Sequence, residues 1–144
     1  RMLARSVSRF GDPGGQGATW AYQQTYQRSR GRVNAAYDVF RRAVEGLQQR
    51  EMDALLERGL VTVGAAIASL DQRMARMDLA ETLQVVRAAA GAPLLAGRMA
   101  PLVPRMEAVH AAYALYPRSP NEPWLLRWSR LAARLGGWPP DLHP

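Results

Sequence analysis

Apolar residues recur at helical spacing over much of the chain. From Val33 to Leu47 they follow one another at intervals of four, three, four and three residues, and from Leu60 to Met77 at three, four, three, four and three. This spacing places side chains on one face of a helix, whereas a half-buried strand alternates with a period of two. The first apolar stripe is Val33, Tyr37, Phe40, Val44 and Leu47, and the second is Leu60, Val63, Ile67, Leu70, Met74 and Met77. The two stripes predict an all-α fold.

Capping residues and breakers predict where the helices begin and end. Asp78 with Glu81 forms a capping box, Asn121 is a favourable N-cap, and Gly59, Gly91, Gly136 and Gly137 are placed to end helices. We therefore predict helices over residues 18–30, 32–58, 60–77, 79–90, 104–116 and 122–135, with a short separate segment over residues 94–99. Three further apolar faces follow: Leu79, Leu83, Val86 and Ala90; Met106, Val109, Tyr113 and Tyr116; and Trp124, Trp128, Leu131 and Leu135.

The domain organisation is predicted to be simple. A chain of 144 residues with 48% apolar content is the size of one domain. We predict a basic N-terminal segment and flexible Gly-rich loop over residues 1–17, a single helical bundle of five to six helices over 18–137, and an extended Pro-rich tail over 138–144.

Composition removes most catalytic chemistry from consideration. The chain has no cysteine, and all 19 basic residues are arginine, so no lysine is present for a phosphate-binding loop or a Schiff base. His110 and His143 stand apart from any metal-binding motif, and Asp53 with Glu57 fits a solvated helix face. We predict a protein that is not an enzyme and has no cofactor, metal or small-molecule substrate.

The absence of a long apolar run predicts a soluble protein. The longest uncharged stretch in the middle of the chain, residues 60–70, is much shorter than the roughly 20 residues that span a bilayer. Together with the lack of cysteine, this leads us to expect an intracellular location, either cytoplasmic or in an organelle matrix.

Positive charge is concentrated near the start of the chain. Residues 1–50 carry nine arginines and three acidic residues, out of a net charge of +7 for the whole sequence. Arginine binds phosphates through its planar fork, and aromatic rings stack on unpaired bases. Tyr37 and Phe40 are assigned to the core by the first apolar stripe. The predicted nucleic-acid-binding residues are Trp20, Tyr22, Tyr26, Arg28, Arg30, Arg32, Arg41 and Arg42.

These features predict a non-catalytic helical subunit of a nucleoprotein assembly. It would contact the backbone of RNA or single-stranded DNA without reading sequence. In arginine content and helical character the chain is similar to the small helical subunits of CRISPR RNA-guided effector complexes and to ribosome accessory proteins. The alternative is a structural subunit of a virion, secretion or organelle complex, which would bind protein partners through Trp124, Trp128 and Trp138 without contacting nucleic acid.

Overall fold

The structure, a computed structural model, describes residues 2–12 and 14–139. Within these residues all regular secondary structure is helical, which confirms the all-α prediction. The helices are α1 (Met2–Phe10), α2 (Gln16–Tyr26), a π-helical segment (Gln27–Gly31), α3 (Arg32–Glu45), α4 (Gln49–Glu57), α5 (Val63–Leu70), α6 (Leu79–Gly91), α7 (Pro93–Met99), α8 (Leu102–Ala114) and α9 (Glu122–Gly136). The prediction of five to six helices is only roughly met.

Most helix ends that carry a capping signal lie where the sequence predicts them. The Asp78 carboxylate accepts the backbone N–H of Glu81 at 2.8 Å, and the Asn121 side chain accepts that of Trp124 at 3.2 Å. Gly59 and Gly137 have positive φ angles of 70° and 66°, the left-handed conformation that follows many helix ends. Local hydrogen-bonding chemistry therefore sets these boundaries.

The predicted helix end near Gly31 is wrong. The π-helical segment Gln27–Gly31 joins α2 to α3, and Gly31 is buried within this continuous helical stretch. A Cβ at Gly31 would meet the side-chain amide of Gln27 and lie 3.4 Å from the carbonyl oxygen of Tyr26. The glycine thus permits close packing inside a helix, a use that composition does not distinguish from a helix end.

The predicted single helix over residues 32–58 is also wrong, because the chain turns at residues 46–48. Gln48 and Glu51 form a capping box in which the Gln48 N–H donates to the Glu51 carboxylate at 2.8 Å. This hydrogen bond, with help from Arg98, holds the pKa of Glu51 below its usual value. Continuing the spacing of the first apolar stripe beyond Leu47 places the charged Glu51 on that stripe. Glu51 instead lies in the first turn of α4.

The second apolar stripe does not form core. Helix α5 ends at Leu70, residues 71–78 contain no helix, and Val63 and Leu70 are 76% and 84% exposed. The face predicted for α6 is exposed as well, at Leu79, Leu83, Val86 and Ala90. What α5 buries is Ala68, and its N-cap residue Thr62 is buried as well. The periodicity is real, but within the described residues nothing covers this apolar surface.

The chain divides into two compact units. Unit 1 comprises residues 1–36 and 107–144, and unit 2 comprises residues 37–106. The division falls within α3 and α8. The predicted boundaries at residues 17 and 137 stay a prediction, and most of the predicted tail, including His143, lies outside the described residues.

An aromatic cluster forms the core of unit 1. Tyr116, two residues beyond the end of α8, lies against Trp128 of α9 with ring centroids 4.7 Å apart, and Tyr113 of α8 lies 4.9 Å from Trp128 and 6.3 Å from Trp138. The Trp128 indole N–H donates to the carbonyl oxygen of Ala112 at 2.9 Å. The α8 face predicted from the sequence is therefore buried at Val109, Tyr113 and Tyr116.

Helix α9 presents a different face from the predicted one. Its buried residues are Ser129, Ala132, Ala133 and Gly136, whereas Trp124 and Leu131 are exposed. Small side chains let α9 approach its neighbours closely, and Trp138 beyond the helix end fills the space above Gly136. The prediction for α9 is therefore met only in part, because Trp128 and Leu135 are half-buried while Trp124 and Leu131 are exposed.

Unit 2 has a smaller core of aliphatic side chains. Its buried residues include Val39, Leu55, Leu95 and Leu102. Two hydrogen bonds to backbone carbonyls tie distant parts of this unit together: the Tyr37 hydroxyl donates to Arg73 at 2.8 Å, and Arg58 donates to Gly91 at 2.6 Å.

Candidate nucleic-acid interface

Positive charge belongs to unit 1 rather than to the first third of the chain. Unit 1 contains ten arginines and four acidic residues, a formal charge of +6, whereas unit 2 contains nine arginines and eight acidic residues, a formal charge of +1. The fold achieves this by grouping the arginines of residues 1–36 with those of residues 107–144. The positive field is therefore assembled from two separate stretches of sequence.

Ion pairing reinforces this contrast. In unit 2, Arg41 pairs with Asp38 at 2.6 Å and also with Glu45, and Arg42 pairs with Asp38 at 2.8 Å. Among the residues that the structure describes, no arginine of unit 1 pairs with a carboxylate. Two of the predicted binding residues, Arg41 and Arg42, thus lie in the nearly neutral unit with acidic partners of their own.

Arg28 has a structural contact within unit 1. Its Nε donates to the backbone carbonyl oxygen of Tyr116 at 2.9 Å, and a terminal nitrogen of the same guanidinium donates to the same oxygen. One turn earlier on the helix, the Gln24 amide donates to the carbonyl of Pro117 at 3.2 Å. Arg28 therefore supplies donors to the chain just beyond α8, where backbone carbonyls lack helical partners.

Arg30 and Arg32 differ in exposure although they are two residues apart. Arg30 is exposed, whereas Arg32 is half-buried, and its Nε is buried without a hydrogen-bond partner among the described residues. Burial, reinforced by the charge of Arg32, holds the pKa of His110 below its ordinary value, although Glu107 acts in the opposite direction. Of the predicted arginines in unit 1, Arg30 is the one presented fully to solvent.

The three predicted aromatic residues serve different contacts. Trp20 is half-buried and stacks on Tyr116 with ring centroids 5.6 Å apart. Tyr22 and Tyr26 stack on each other at 6.2 Å, and the Asn34 amide approaches the Tyr26 hydroxyl at 3.4 Å. Of the three rings, that of Tyr22 is the exposed one, whereas Tyr26 is half-buried and one face of Trp20 is taken by the core.

Sequence reasoning missed the arginines of α9. Arg127, Arg130 and Arg134 are exposed and follow at intervals of three and four residues, so they share one side of the helix over about 10 Å of its length. The spacing is present in the sequence, but the predicted binding residues all lie between residues 20 and 42.

It also missed a pocket in unit 1. A cavity of about 270 Å³ lies between the end of α1, one side of α2 and the turn that precedes α9. Its lining residues are Arg9, Phe10, Gln16, Gly17, Trp20, Ala21, Gln24, Arg118 and Pro120. Nothing in the sequence places Arg9 beside Arg118, which is 109 positions away.

The structure adds no sign of metal chemistry or of a membrane span to the part of the chain it describes. No group of three or more His, Asp or Glu side chains is arranged there to hold a metal ion, and none of its helices is both long and apolar enough to cross a bilayer. Asp53, considered above as half of a carboxylate pair, accepts a hydrogen bond from Gln49 at 2.9 Å.

A scan against protein-family models, a search of curated proteins and a search of solved structures each found no match. Function is therefore argued from this chain's own residues.

Proposed function

We propose that unit 1 holds the backbone of RNA or single-stranded DNA as a non-catalytic module of a larger nucleoprotein assembly. The observation that carries this proposal is the formal charge of +6 in unit 1, with no arginine of its described part paired to a carboxylate. Unpaired guanidinium groups attract a polyanion, and neutralising phosphates releases condensed counterions.

Two further features favour a single strand over a duplex. On α2 the exposed Tyr22 stacks on the half-buried Tyr26, and stacking on unpaired bases tolerates any sequence. The arginines are distributed over α1, the π-helical segment, the turn before α9 and α9 itself, which suits backbone contacts rather than base reading. The residues proposed to contact phosphates are the exposed ones: Arg5, Arg9, Arg30, Arg118, Arg127, Arg130 and Arg134.

Fluorescence anisotropy with a labelled single-stranded RNA tests this proposal. We expect replacement of Arg30, Arg127 and Arg130 by Gln to weaken binding roughly 100-fold at 0.1 M salt. Each lost phosphate contact lowers the logarithm of the affinity at this salt concentration by about 0.7 to 0.9. The matched control replaces Arg50, Arg76 and Arg87 of unit 2 by Gln, which removes the same charge from exposed positions. Equal weakening by both sets would contradict the proposal.

Unit 2 favours a second role, the binding of a protein partner as a scaffolding subunit. Val63, Leu70, Leu79 and Leu94 are each at least 76% exposed, and large apolar surfaces of this kind mark interaction sites. The tryptophans support it less, since Trp128 and Trp138 are engaged in the core of unit 1 and Trp124 alone is exposed.

Light scattering after size-exclusion chromatography tests this second role. Association is expected for the unmodified chain, and replacing Leu70 and Leu94 by Ser is expected to reduce it. A chain that stays monomeric at high concentration and also ignores protein partners, while binding RNA, would count against scaffolding.

A further inference from the structure

The pocket of unit 1 is built by specific local contacts. Gly17 lets the Phe10 ring lie close to α2, because a Cβ at this position would come within 3.0 Å of a Phe10 ring carbon. On the other side, the Gln24 amide donates to the carbonyl of Pro117 at 3.2 Å and fixes the turn that carries Arg118. Three separate segments of unit 1 are thereby held around one cavity.

The polar side of this pocket is positively charged. Arg9 and Arg118 both line it and both are exposed, and no carboxylate is among its described lining residues. The Arg9 guanidinium lies 5.4 Å from the centroid of the Phe10 ring, a cation–π contact that leaves its donors available. Two guanidinium groups without an acidic partner at one cavity favour an anion with several oxygen atoms.

The apolar side of the pocket is aromatic. Phe10 is 46% exposed, and Trp20 lines the pocket while its ring is held in place by stacking on Tyr116. Gln24 also lines the pocket, and because its NH2 group donates to Pro117, its side-chain carbonyl oxygen is the group that can accept a hydrogen bond from a ligand. A flat heterocycle with N–H donors fits this side of the cavity better than an aliphatic group does.

We propose that this pocket binds one nucleotide unit, with the base against Phe10 and Trp20 and the phosphate at Arg9 and Arg118. Its volume of about 270 Å³ is small for a ligand pocket and limits the occupant to a single unit. A free mononucleotide and a nucleotide within a bound strand share this chemistry. Binding of a nucleotide within a strand rests on the proposed function of unit 1, whereas binding of a free mononucleotide does not.

The negative charge of Asp12, before the start of α2, is expected to weaken phosphate binding, and removing it tests the direction of that effect. Asp12 accepts the backbone N–H of Gly14 at 2.9 Å, immediately before α2, and Gly15 caps that helix without a side-chain hydrogen bond. The carboxylate therefore reduces the attraction that the start of α2 exerts on a phosphate. Asp12→Asn is expected to strengthen nucleotide binding, and weaker binding would contradict a phosphate at this end of the pocket.

The experiment is isothermal titration of the full chain with AMP, adenosine and inorganic phosphate. We expect AMP to bind more tightly than either of its parts, because it alone fills both sides of the pocket. Arg118→Gln and Arg9→Gln should each weaken AMP binding about tenfold, the loss typical of one charge-assisted contact. Arg76→Gln removes an exposed charge from unit 2, away from the residues that line the pocket, and should leave AMP binding unchanged.

A single-stranded RNA without label, added to the AMP complex, separates the two sources. Displacement of AMP supports a strand subsite. AMP binding by a chain that binds no RNA supports a free-nucleotide pocket and overturns the proposed function. RNA binding without AMP binding, with Arg9→Gln and Arg118→Gln indistinguishable from Arg130→Gln in RNA affinity, overturns the pocket and leaves the proposed function standing.

Discussion

The indole ring of Trp20 stacks on the phenol ring of Tyr116, with centroids 5.6 Å apart and ring planes inclined by 29°. Arg28, two turns further along the same continuous helical stretch, donates to the backbone carbonyl of Tyr116. Burial raises the pKa of the Tyr116 hydroxyl. Two residues predicted to touch nucleic acid are thus partly or wholly engaged in holding unit 1 together.

We expect Tyr116→Ala to lower the free energy of unfolding by about 3 to 5 kcal/mol, the usual cost of removing a buried aromatic side chain. Tyr116 is 2% exposed and contacts both Trp20 and Trp128. The neighbouring Leu115 is 72% exposed, so Leu115→Ala is the control and should change stability little. Urea unfolding measures both variants, and similar losses would contradict the packing of α8.

Arg28 and Arg30 should separate stability from binding. Arg28→Gln removes the hydrogen bonds to Tyr116 and is expected to cost about 1.5 kcal/mol of unfolding free energy. Arg30→Gln, at an exposed position, should leave stability unchanged and weaken RNA binding. Thermal unfolding and anisotropy measured on the same two preparations check this. A loss of stability in Arg30→Gln with weaker RNA binding only in Arg28→Gln would contradict the roles given to the two residues.

Gly136 is expected to resist substitution although it lies at the end of a helix. A Cβ there would come within 2.5 to 2.7 Å of three ring carbons of the buried Trp138. Gly136→Ala should therefore destabilise unit 1. Gly97 of α7 is the matched control, because a Cβ at that position meets nothing within 4 Å. Gly97→Ala should stabilise the chain by up to about 1 kcal/mol by reducing backbone freedom in the unfolded state. Urea unfolding midpoints that move in the same direction would contradict this account.

His110 should make the fold less stable as the pH falls. Burial and then the charge of Arg32 lower its pKa in the folded chain below the ordinary value of 6.5, so near and below that pH the unfolded chain binds the proton more readily. Stability attributable to His110 is therefore complete above pH 6.5 and is lost as the pH falls from 6.5 through the folded pKa. The difference in unfolding free energy between the unmodified chain and His110→Asn, followed from pH 7.5 to 5, measures this. A difference that does not change with pH would contradict the environment described for His110.

Sequence predicted well where a boundary depends on local chemistry. Asp78 with Glu81, Asn121 and Gly137 act through hydrogen bonds or backbone angles that neighbouring residues determine. Gln48 with Glu51 also forms a capping box. It does not enter the sequence prediction, because the apolar spacing before Glu51 favours one longer helix.

Faces were predicted less well because burial depends on what lies opposite. On α9 the small residues Ala132, Ala133 and Gly136 are buried, since close approach to neighbouring rings outweighs the larger apolar area of Leu131. Along α5 and α6 the apolar stripes exist but remain exposed. Periodicity gives the direction of a face, and tertiary contacts decide whether that face is core.

Only part of the candidate site can be predicted from the sequence. Among the predicted binding residues, Arg30 and Tyr22 are exposed, whereas Arg41 and Arg42 have carboxylate partners in unit 2. That Arg9 and Arg118 line one pocket cannot be predicted from the sequence, because it depends on the fold bringing the two sequence stretches of unit 1 together.

The most direct test of the central claim is the salt dependence of single-stranded RNA affinity for the unmodified chain. If about five or six arginines of unit 1 each neutralise a phosphate of a single strand, the logarithm of affinity falls against the logarithm of salt concentration with a slope of about −3.5 to −4. Replacing Arg30, Arg127 and Arg130 by Gln should make the slope shallower by about 2 to 3. No binding at low salt, or a slope that these three substitutions leave unchanged, would contradict the account.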